Sequence, residues 1–246
     1  MSKTVRKVII IVAAIVFIVS GSKLGWHYYQ LYVGGSAYDD IRNEVVVEVP
    51  PEVEKFHTLA INFDMLSDIN PDIVAWLYIP GTPVSYPILC GQDNQTYLTR
   101  TYDKKYNILG SIFMDYRSDP EFQDVNTIVY GHNTSSDAMF GSLKKYKEQG
   151  YAQEHTEVHI IKKDEVRVYQ VFSAYETLAT SDTYIIDFSS DESFANYLEE
   201  MTSNSVVYLG GSPKSGQILT LSTCTGGNKA MRLVLQAKFI HSHPAE

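Results

Sequence analysis

Eight short runs of β-branched and aromatic residues lie between residues 72 and 240, and they limit what the chain can fold into. The runs are DIVAWLYI, VSYPIL, GSIFMDY, NTIVY, EVHII, EVRVYQVFSAY, ILTLST and MRLVLQAKFI, with turns rich in Gly, Pro, Asn or Asp between them. Runs of this composition are typical of β-strands. Eight strands over this length predict a mainly β fold, either a closed barrel or a sandwich.

Helices are predicted before and between these strands. The segment WHYYQLYVGGSAYDDIRN has a helical pattern, with a break expected at Gly34-Gly35, and the following VVVEVPPEVEKF is predicted to be a polar linker. A second short helix is expected over residues 62–69, ended by an Asn-Pro pair. Late in the chain, SSDESFANYLEEM predicts a helix with Ser189 and Glu192 as its capping box. We expect this helix to cross between strands.

One apolar segment, VIIIVAAIVFIVSGS, occupies residues 8–22 near a basic N-terminus and is followed by an aromatic group at residues 26–29. Two interpretations fit it: an uncleaved membrane anchor, or a cleaved signal peptide whose small serines imitate a cleavage site. We favour the anchor, because the aromatic flank is typical of a membrane interface and no A-x-A motif is present. In either case the basic residues stay in the cytoplasm and the bulk of the chain is exported.

The charge excludes one class of function. The formal net charge is −9, and the first 25 residues carry four basic and no acidic side chains, so the exported part is still more acidic. Nucleic-acid binding needs a basic surface, which this chain does not have. Neither a metal-ligand spacing nor a cofactor fingerprint appears, so we predict no metal and no cofactor.

The chain has two cysteines, Cys90 and Cys224. In an oxidising compartment they could form one disulfide. A core of this size does not need a single bridge, and the surroundings of Cys224 are unusual. We interpret Cys90 as a strand-end thiol without a catalytic role, because no histidine or arginine follows in its segment.

Side chains alternate between the two faces of a strand, so the orientation of Cys224 follows from parity. In ILTLSTC, Leu219 and Leu221 share one face, and Ser222 and Cys224 share the other. Arg232 lies on the face of the next strand that does not belong to the core. If TGGNKA joins the two strands as a hairpin, Cys224 and Arg232 come within side-chain reach.

A cation beside a thiol has a chemical use. An unperturbed thiol is only about 3% thiolate at neutral pH, and a nearby positive charge raises that fraction. The alternative is a small buried cysteine with a surface arginine nearby, and this segment alone leaves both open.

A nucleophilic cysteine also needs a proton carrier, usually a histidine. His132 follows the strand NTIVY, which is expected to end at Gly131, and lies at a loop mouth, where functional side chains concentrate, although a histidine bonded to its own turn fits as well. The other six are assigned to the membrane flank, the linker, a polar stretch before a strand and the C-terminal tail: His27, His57, His155, His159, His241 and His243.

The ordered set YGHN, TLSTC and Arg232 resembles the sortases, the cysteine transpeptidases of the Gram-positive cell surface. The segments NPDIVAWLYIPGTPVSYPIL, GSIFMDYRS and DAMFGSLKKY, together with the late helix, resemble class B members. The resemblance covers residues 70–240. It implies an eight-stranded sortase-type β-barrel with N-terminal helices and a helix before the catalytic strand.

Within this resemblance, Cys224 is the nucleophile, His132 the general acid and base, and Arg232 the group that holds substrate or the developing oxyanion. Family position alone adds a set of residues to the substrate groove: Tyr130, Ser222, Thr180, Tyr184 and Ile185. The implied partners are exported proteins with a C-terminal sorting signal, cleaved at Thr through a thioester, and a peptidoglycan precursor amine that accepts them.

The expected organisation is a cytoplasmic tip with a single-pass membrane anchor over residues 1–25, a helical and linker extension over 26–60, and an extracellular catalytic domain over 61–246. Three alternatives remain: a membrane-tethered cysteine endopeptidase using the same dyad, a pilin-polymerising sortase, and a non-enzymatic surface barrel in which the cysteine is incidental. Product analysis and thiol labelling distinguish them.

Overall fold

The structure, a computed structural model, describes residues 2–47, 59–225, 228 and 230–245. Four α-helices lie within these residues: α1 (Lys3–Val45), α2 (Phe63–Ile69), α3 (Gln149–Glu154) and α4 (Asp191–Ser203). The strands are β1 (Val46–Val47), β2 (Ala60–Ile61), β3 (Ile73–Tyr78), β4 (Ser85–Leu89), β5 (Ile112–Met114), β6 (Asn126–Tyr130), β7 (Glu157–Ile161), β8 (Glu165–Leu178), β9 (Ile218–Cys224) and β10 (Met231–Pro244).

Strands β3 to β10 form a closed barrel in the order β10-β8-β7-β3-β4-β5-β6-β9. Two pairs, β4 with β5 and β6 with β9, are parallel, and the other pairs are antiparallel. All eight predicted runs are strands of this barrel, which confirms the predicted barrel over the sandwich. The two-residue strands β1 and β2 pair with each other outside the barrel, and the sequence pattern did not predict them.

Strand alternation divides the apolar residues between two clusters. Leu219, Leu221, Leu233 and Leu235 belong to the main core. The opposite faces of the same two strands contribute Ile218 and Val234 to a second cluster beneath α4, with Phe194, Tyr197, Leu198 and Met201 from the helix. The parity predicted for β9 and β10 is therefore confirmed.

The outward face of β9 is covered by a polar network. Thr220 donates to Asn126 Oδ1 at 2.7 Å, and the amide of Asn126 donates to the carbonyl of Ile185 at 2.7 Å. Gln236 donates to Thr220 at 3.0 Å and to Tyr197 of α4 at 2.7 Å. Because these buried groups bond to one another, the network holds the loop after β8, which carries Tyr184, against β9.

Helix α1 is one uninterrupted helix of 43 residues, about 65 Å long. The predicted break at Gly34-Gly35 is wrong. A Cβ at Gly34 would lie 2.6 Å from Asn107 Oδ1, so this glycine allows the helix to approach the loop at Asn107. The helix then continues through Tyr38, Ile41 and Val45, whose burial against the barrel side stabilises it.

Two helix starts test the capping predictions. Asn62 caps α2 by accepting a hydrogen bond from Met65 N at 3.1 Å, in agreement with the predicted start. Helix α4 begins one residue later than predicted: Ser190 and Ser193 form the capping box, instead of Ser189 and Glu192. The Ser193 hydroxyl lies 3.1 Å from Ser190 N, from which it accepts, and takes the role assigned to the glutamate.

Three histidine placements also differ from expectation. His241 and His243 belong to β10, because this strand keeps pairing with β8 up to Pro244, so they do not form a tail. His159 is buried within β7 itself, so it does not lie in a polar stretch before the strand. Most of the predicted linker, including His57, lies outside the described residues.

Candidate active site

The hairpin of β9 and β10 brings Cys224 and Arg232 together. The two residues are directly paired across the antiparallel ladder, at the end of β9 and the start of β10. Directly opposite residues of a ladder point to the same face, with Cβ atoms about 4.5–5.5 Å apart. Cys224 is exposed and both cysteines are free, so neither the buried cysteine nor the disulfide describes this structure.

His132 reaches the same place from the neighbouring strand. β6 runs parallel to β9, with Tyr130 beside Ser222, and Gly131 N donates to the carbonyl of Ser222 at 3.2 Å. Three residues after the end of β6, the side-chain amide of Asn133 donates to the carbonyl of Cys224 at 2.8 Å. These bonds place the residue between them, His132, beside the end of β9.

The imidazole of His132 has a defined partner. Its Nε2 lies 2.7 Å from the carbonyl oxygen of Leu98, at the end of the 3-10 helix Thr96–Leu98. A carbonyl only accepts hydrogen bonds, so Nε2 carries the proton and Nδ1 is the nitrogen left to exchange protons. The partner is on another loop, which excludes the histidine bonded to its own turn.

Two glycines allow the close packing around this ring. A Cβ at Gly110, whose φ is +60°, would lie 2.9 Å from His132 Cδ2. A Cβ at Gly131 would contact Ile112 Cδ1 and lie 2.7 Å from Phe140 Cδ2. Side chains at these two positions would displace the segment that carries His132.

A cavity of about 370 Å³ contains Cys224, His132 and Arg232 together. The residues that complete its lining are Asn94, Gln95, Leu98, Phe113, Asp115, Arg117, Tyr130, Gly131, Ala179, Tyr184, Ser222 and Thr223. The lining combines apolar and aromatic side chains with a few polar groups, as is common for a ligand site.

Tyr184 and Ser222 form a polar pair in this cavity. Tyr184 Oη lies 2.9 Å from Ser222 Oγ, and the Tyr184 ring stacks on Tyr130 with 6.2 Å between centroids. Burial raises the pKa of Tyr184, and the hydrogen bond to Ser222 and the charge of Arg232 partly offset this rise. Tyr184 therefore stays protonated and can donate a hydrogen bond.

The buried carboxylate of Asp115 also lines the cavity and supports Tyr130. Asp115 accepts hydrogen bonds from Tyr130 Oη at 2.9 Å, from Asn94 at 3.0 Å, and from Arg117 through Nε and Nη2 at 2.8 and 2.9 Å. Burial alone would raise the pKa of Asp115, but the bonds from Arg117 and Tyr130 outweigh it, so the pKa is lowered. The charged carboxylate holds Tyr130 in place. Sequence reasoning missed this group, although the run MDYRS carries two of its members at the end of a strand.

The five residues expected in the groove by family position fall into two sets. Tyr130, Ser222 and Tyr184 line the cavity. Thr180 is exposed beside Ala179, which does line it, and Ile185 belongs to a separate depression next to α4.

Cys90 lies at the end of β4, as expected, and its surroundings differ from those of Cys224. It is half-buried, and its amide donates to the carbonyl of Asp72 at 2.8 Å. Burial raises the pKa of its thiol, and the charges of Asp72, Asp115 and Asp119 add to this effect. Among the described residues, no group of three or more His, Cys, Asp or Glu side chains could hold a metal ion.

Comparison with known proteins gives one consistent match. The sequence model of the sortase domain matches residues 77–240. Sortase B of Staphylococcus aureus (strain NCTC 8325 / PS 47) is 31% identical over 241 residues, which are 96% of this chain and 96% of that protein. Sortase B of Listeria monocytogenes (strain ATCC BAA-679 / EGD-e) is 33% identical over 237 residues, 92% of each chain.

Solved structures match in the same way. Sortase B of Bacillus anthracis in complex with AAEK1 superposes with a TM-score of 0.74 at 34% identity, covering 87% of this chain and 99% of that one. The Staphylococcus aureus sortase B–substrate complex superposes with a TM-score of 0.68 at 34% identity, covering 72% of this chain and 84% of that one. A sortase B complexed with triglycine superposes with a TM-score of 0.67 at 36% identity, covering 72% of this chain and 85% of that one.

Proposed function

Because the chain belongs to the sortase family, as a sortase B-like cysteine transpeptidase, we propose that it joins exported proteins to the cell wall. It cleaves their C-terminal sorting signal at a threonine through a thioester and transfers the protein to an amine of a peptidoglycan precursor. The observation that carries this proposal is the exposed thiol of Cys224, paired across the ladder with Arg232, in one cavity with His132.

In the acylation step, His132 Nδ1 takes the proton of the Cys224 thiol, and the resulting thiolate attacks the threonyl carbonyl carbon, so that a carbon–sulfur bond forms. The carbonyl oxygen takes the negative charge, and the guanidinium of Arg232 opposes it. His132 then protonates the leaving amine from Nδ1, because Nε2 is engaged with the Leu98 carbonyl. The carbon–nitrogen bond breaks and leaves a thioester on Cys224.

In the transfer step, an amine of the acceptor attacks the thioester carbonyl. His132 Nδ1 accepts the proton that the amine loses, and the thiolate of Cys224 is expelled. The new amide bond joins the exported protein to the acceptor, and triglycine, as in the complex of a relative, is the first acceptor to test. The step requires neither a metal nor a cofactor.

The groove is proposed to bind the sorting signal through the cavity-lining residues Tyr130, Ser222 and Tyr184. The pair of Tyr184 and Ser222 hydroxyls can exchange hydrogen bonds with a polar group of the peptide, since each group donates and accepts. Thr180 and Ile185 are proposed to contact the peptide only where it extends beyond the cavity.

We propose a single-pass membrane protein with its N-terminus in the cytoplasm and its catalytic domain outside. Among the described residues, α1 is long and apolar enough to cross a membrane, and its apolar stretch is not buried in the protein. The basic residues before it support this orientation. Residues 1–25 are the proposed tip and anchor, residues 26–60 the extension and residues 61–246 the catalytic domain.

The proposal is tested by product analysis on the purified chain. A panel of quenched peptides with NPxTx-like and LPxTG-like sequences is incubated with and without triglycine, and mass spectrometry identifies the products. We expect the triglycine amide to replace the hydrolysis product. If no added amine, triglycine included, ever appears in a product and water always does, the chain is an endopeptidase.

Arg232→Ala tests the oxyanion role in the same assay. Removing an oxyanion donor lowers turnover about 100- to 1,000-fold in other enzymes, and we expect a loss in this range. Lys238→Ala is the matched control, because Lys238 is a cation of the same strand that does not line the cavity. Wild-type turnover of Arg232→Ala would refute the assigned role.

A further inference from the structure

Helix α1, the proposed membrane anchor, contacts the loop of residues 107–111, which packs against His132. Tyr38 of α1 is 2% exposed, and its hydroxyl donates to the carbonyl of Gly110 at 2.7 Å. The same hydroxyl lies 2.9 Å from Ser111 Oγ, which in turn lies 2.7 Å from the carbonyl of Arg100, to which it can donate. The Tyr38 hydroxyl thus bonds directly to the backbone of Gly110 and, through the Ser111 hydroxyl, is linked to the backbone of Arg100.

Two turns earlier on the same face, α1 contacts the start of the loop. The side-chain amide of Asn107 donates to the carbonyl of Gln30 at 2.9 Å, and Gly34 gives Asn107 the room to approach. Asn107 Oδ1 also accepts a hydrogen bond from Leu109 N at 2.8 Å. The helix therefore holds residues 107–111 at two points, Asn107 and Gly110.

The far side of Gly110 faces the active site. A Cβ built on Gly110 would lie 2.9 Å from His132 Cδ2 and 2.7 Å from the carbonyl oxygen of Leu98. Ser111 N donates to the carbonyl of Tyr97 at 2.9 Å, which ties the loop to the 3-10 helix that ends at Leu98. Gly110 therefore packs closely against both the imidazole and the carbonyl that orients it, and its position sets the room available to them.

We propose that Tyr38 is a positioning residue for His132 and that the anchor helix is part of what makes the active site competent. The hydroxyl of Tyr38 holds Gly110 where the Leu98 carbonyl meets Nε2 of His132, so that Nδ1 faces the reaction. This inference rests on the proposed role of His132 as general acid and base. It assigns to α1 a function besides attachment to the membrane.

The test compares two single-atom changes at the same interface in the full chain, purified in detergent. Tyr38→Phe removes the hydroxyl that bonds to Gly110 and keeps the ring. Tyr102→Phe is the matched control: Tyr102 is also buried there, stacks edge-on against Tyr38, and donates to the carbonyl of Ala37 at 3.2 Å, on the helix and away from His132. The substrate is the quenched peptide that the wild type cleaves fastest.

We expect kcat of Tyr38→Phe to fall about tenfold with KM unchanged, because a misplacement of about 1 Å can lower a rate by as much as about 100-fold. Tyr102→Phe should keep wild-type kcat. A second readout needs no substrate: the ¹⁵N shifts of the His132 ring, assigned with His132→Ala, should report the Nε2–H tautomer in the wild type and in Tyr102→Phe, and a mixture of tautomers in Tyr38→Phe.

The outcomes separate this inference from the proposed function. If Tyr38→Phe keeps kcat within about twofold and the wild-type tautomer while His132→Ala abolishes turnover, the positioning role is overturned and the proposed function stands. Equal losses in Tyr38→Phe and Tyr102→Phe also overturn it, because they would indicate a general weakening of the interface. Wild-type turnover of His132→Ala would overturn both.

Discussion

Replacing Gly110 by alanine would place a methyl group against both elements that hold His132. The added Cβ would lie 2.7 Å from the Leu98 carbonyl oxygen, 2.8 Å from the Tyr97 carbonyl oxygen and 2.9 Å from His132 Cδ2. Two of these neighbours are backbone atoms, so no side-chain rotation can relieve the contacts. The loop or the 3-10 helix has to move by several tenths of an ångström.

Two contributions set the expected destabilisation. Gly110 has a φ of +60°, and a non-glycine residue in this left-handed region loses roughly 1–2 kcal/mol. Overpacking against fixed neighbours adds about 1–3 kcal/mol. The free energy of unfolding should therefore fall by about 2–5 kcal/mol, and kcat should fall at least about tenfold because the Leu98 carbonyl and the imidazole move apart.

Gly210→Ala is the control that isolates the contacts. Gly210 has a φ of +97°, so alanine is strained there too, but nothing lies within 4 Å of the added Cβ. Urea denaturation measures the stability of both variants, and peptide cleavage measures kcat. If Gly110→Ala matches Gly210→Ala in both measurements, the close packing of Gly110 against the histidine support is refuted.

Three further results are expected. A small electrophile should label Cys224 faster than Cys90, because burial and nearby carboxylates raise the pKa of the Cys90 thiol; equal rates in peptide mapping would favour an incidental cysteine. Arg117→Ala should lower the free energy of unfolding at pH 7 by about 1–2 kcal/mol, less than for a fully buried pair because Arg117 is half-exposed. Since Arg117 helps to lower the pKa of Asp115, this difference between wild type and variant should be present above about pH 4 and disappear as the pH falls further; a pH-independent difference would contradict the ion pair. Tyr184→Ala should raise KM more than it lowers kcat, and a pure loss of kcat would place Tyr184 in the chemical step.

The strands could be predicted because their signal is local. Each of the eight runs carries its own β-branched and aromatic composition, and turn residues mark its ends. Parity within β9 and β10 then fixed the orientation of Cys224 and Arg232, and the hairpin between them needed only a short connection. The loop mouth after NTIVY made His132 the candidate proton carrier, but only the resemblance to a known family joined it to Cys224, because no local pattern tells which strand lies beside β9.

The parts that could not be predicted depend on tertiary contacts. The partner of His132 is a backbone carbonyl, that of Leu98, and every residue has one, so the sequence carries no mark of it. Gly34 indicated a break by its propensity, but packing against Asn107 kept the helix intact. The loop after β8 places Tyr184 in the cavity and Ile185 outside it, because Asn126 donates a hydrogen bond to the carbonyl of Ile185 and holds the loop in this position.

In the proposed mechanism the thiol of Cys224 forms a covalent acyl intermediate. The most direct measurement is the intact mass of the chain, acid-quenched during turnover of a cleaved peptide in the absence of an acceptor. We expect an added mass equal to the peptide up to its threonine, located on Cys224, missing in Cys224→Ala and discharged by triglycine as an amide. Turnover without any adduct, or an adduct on Cys90, would contradict it.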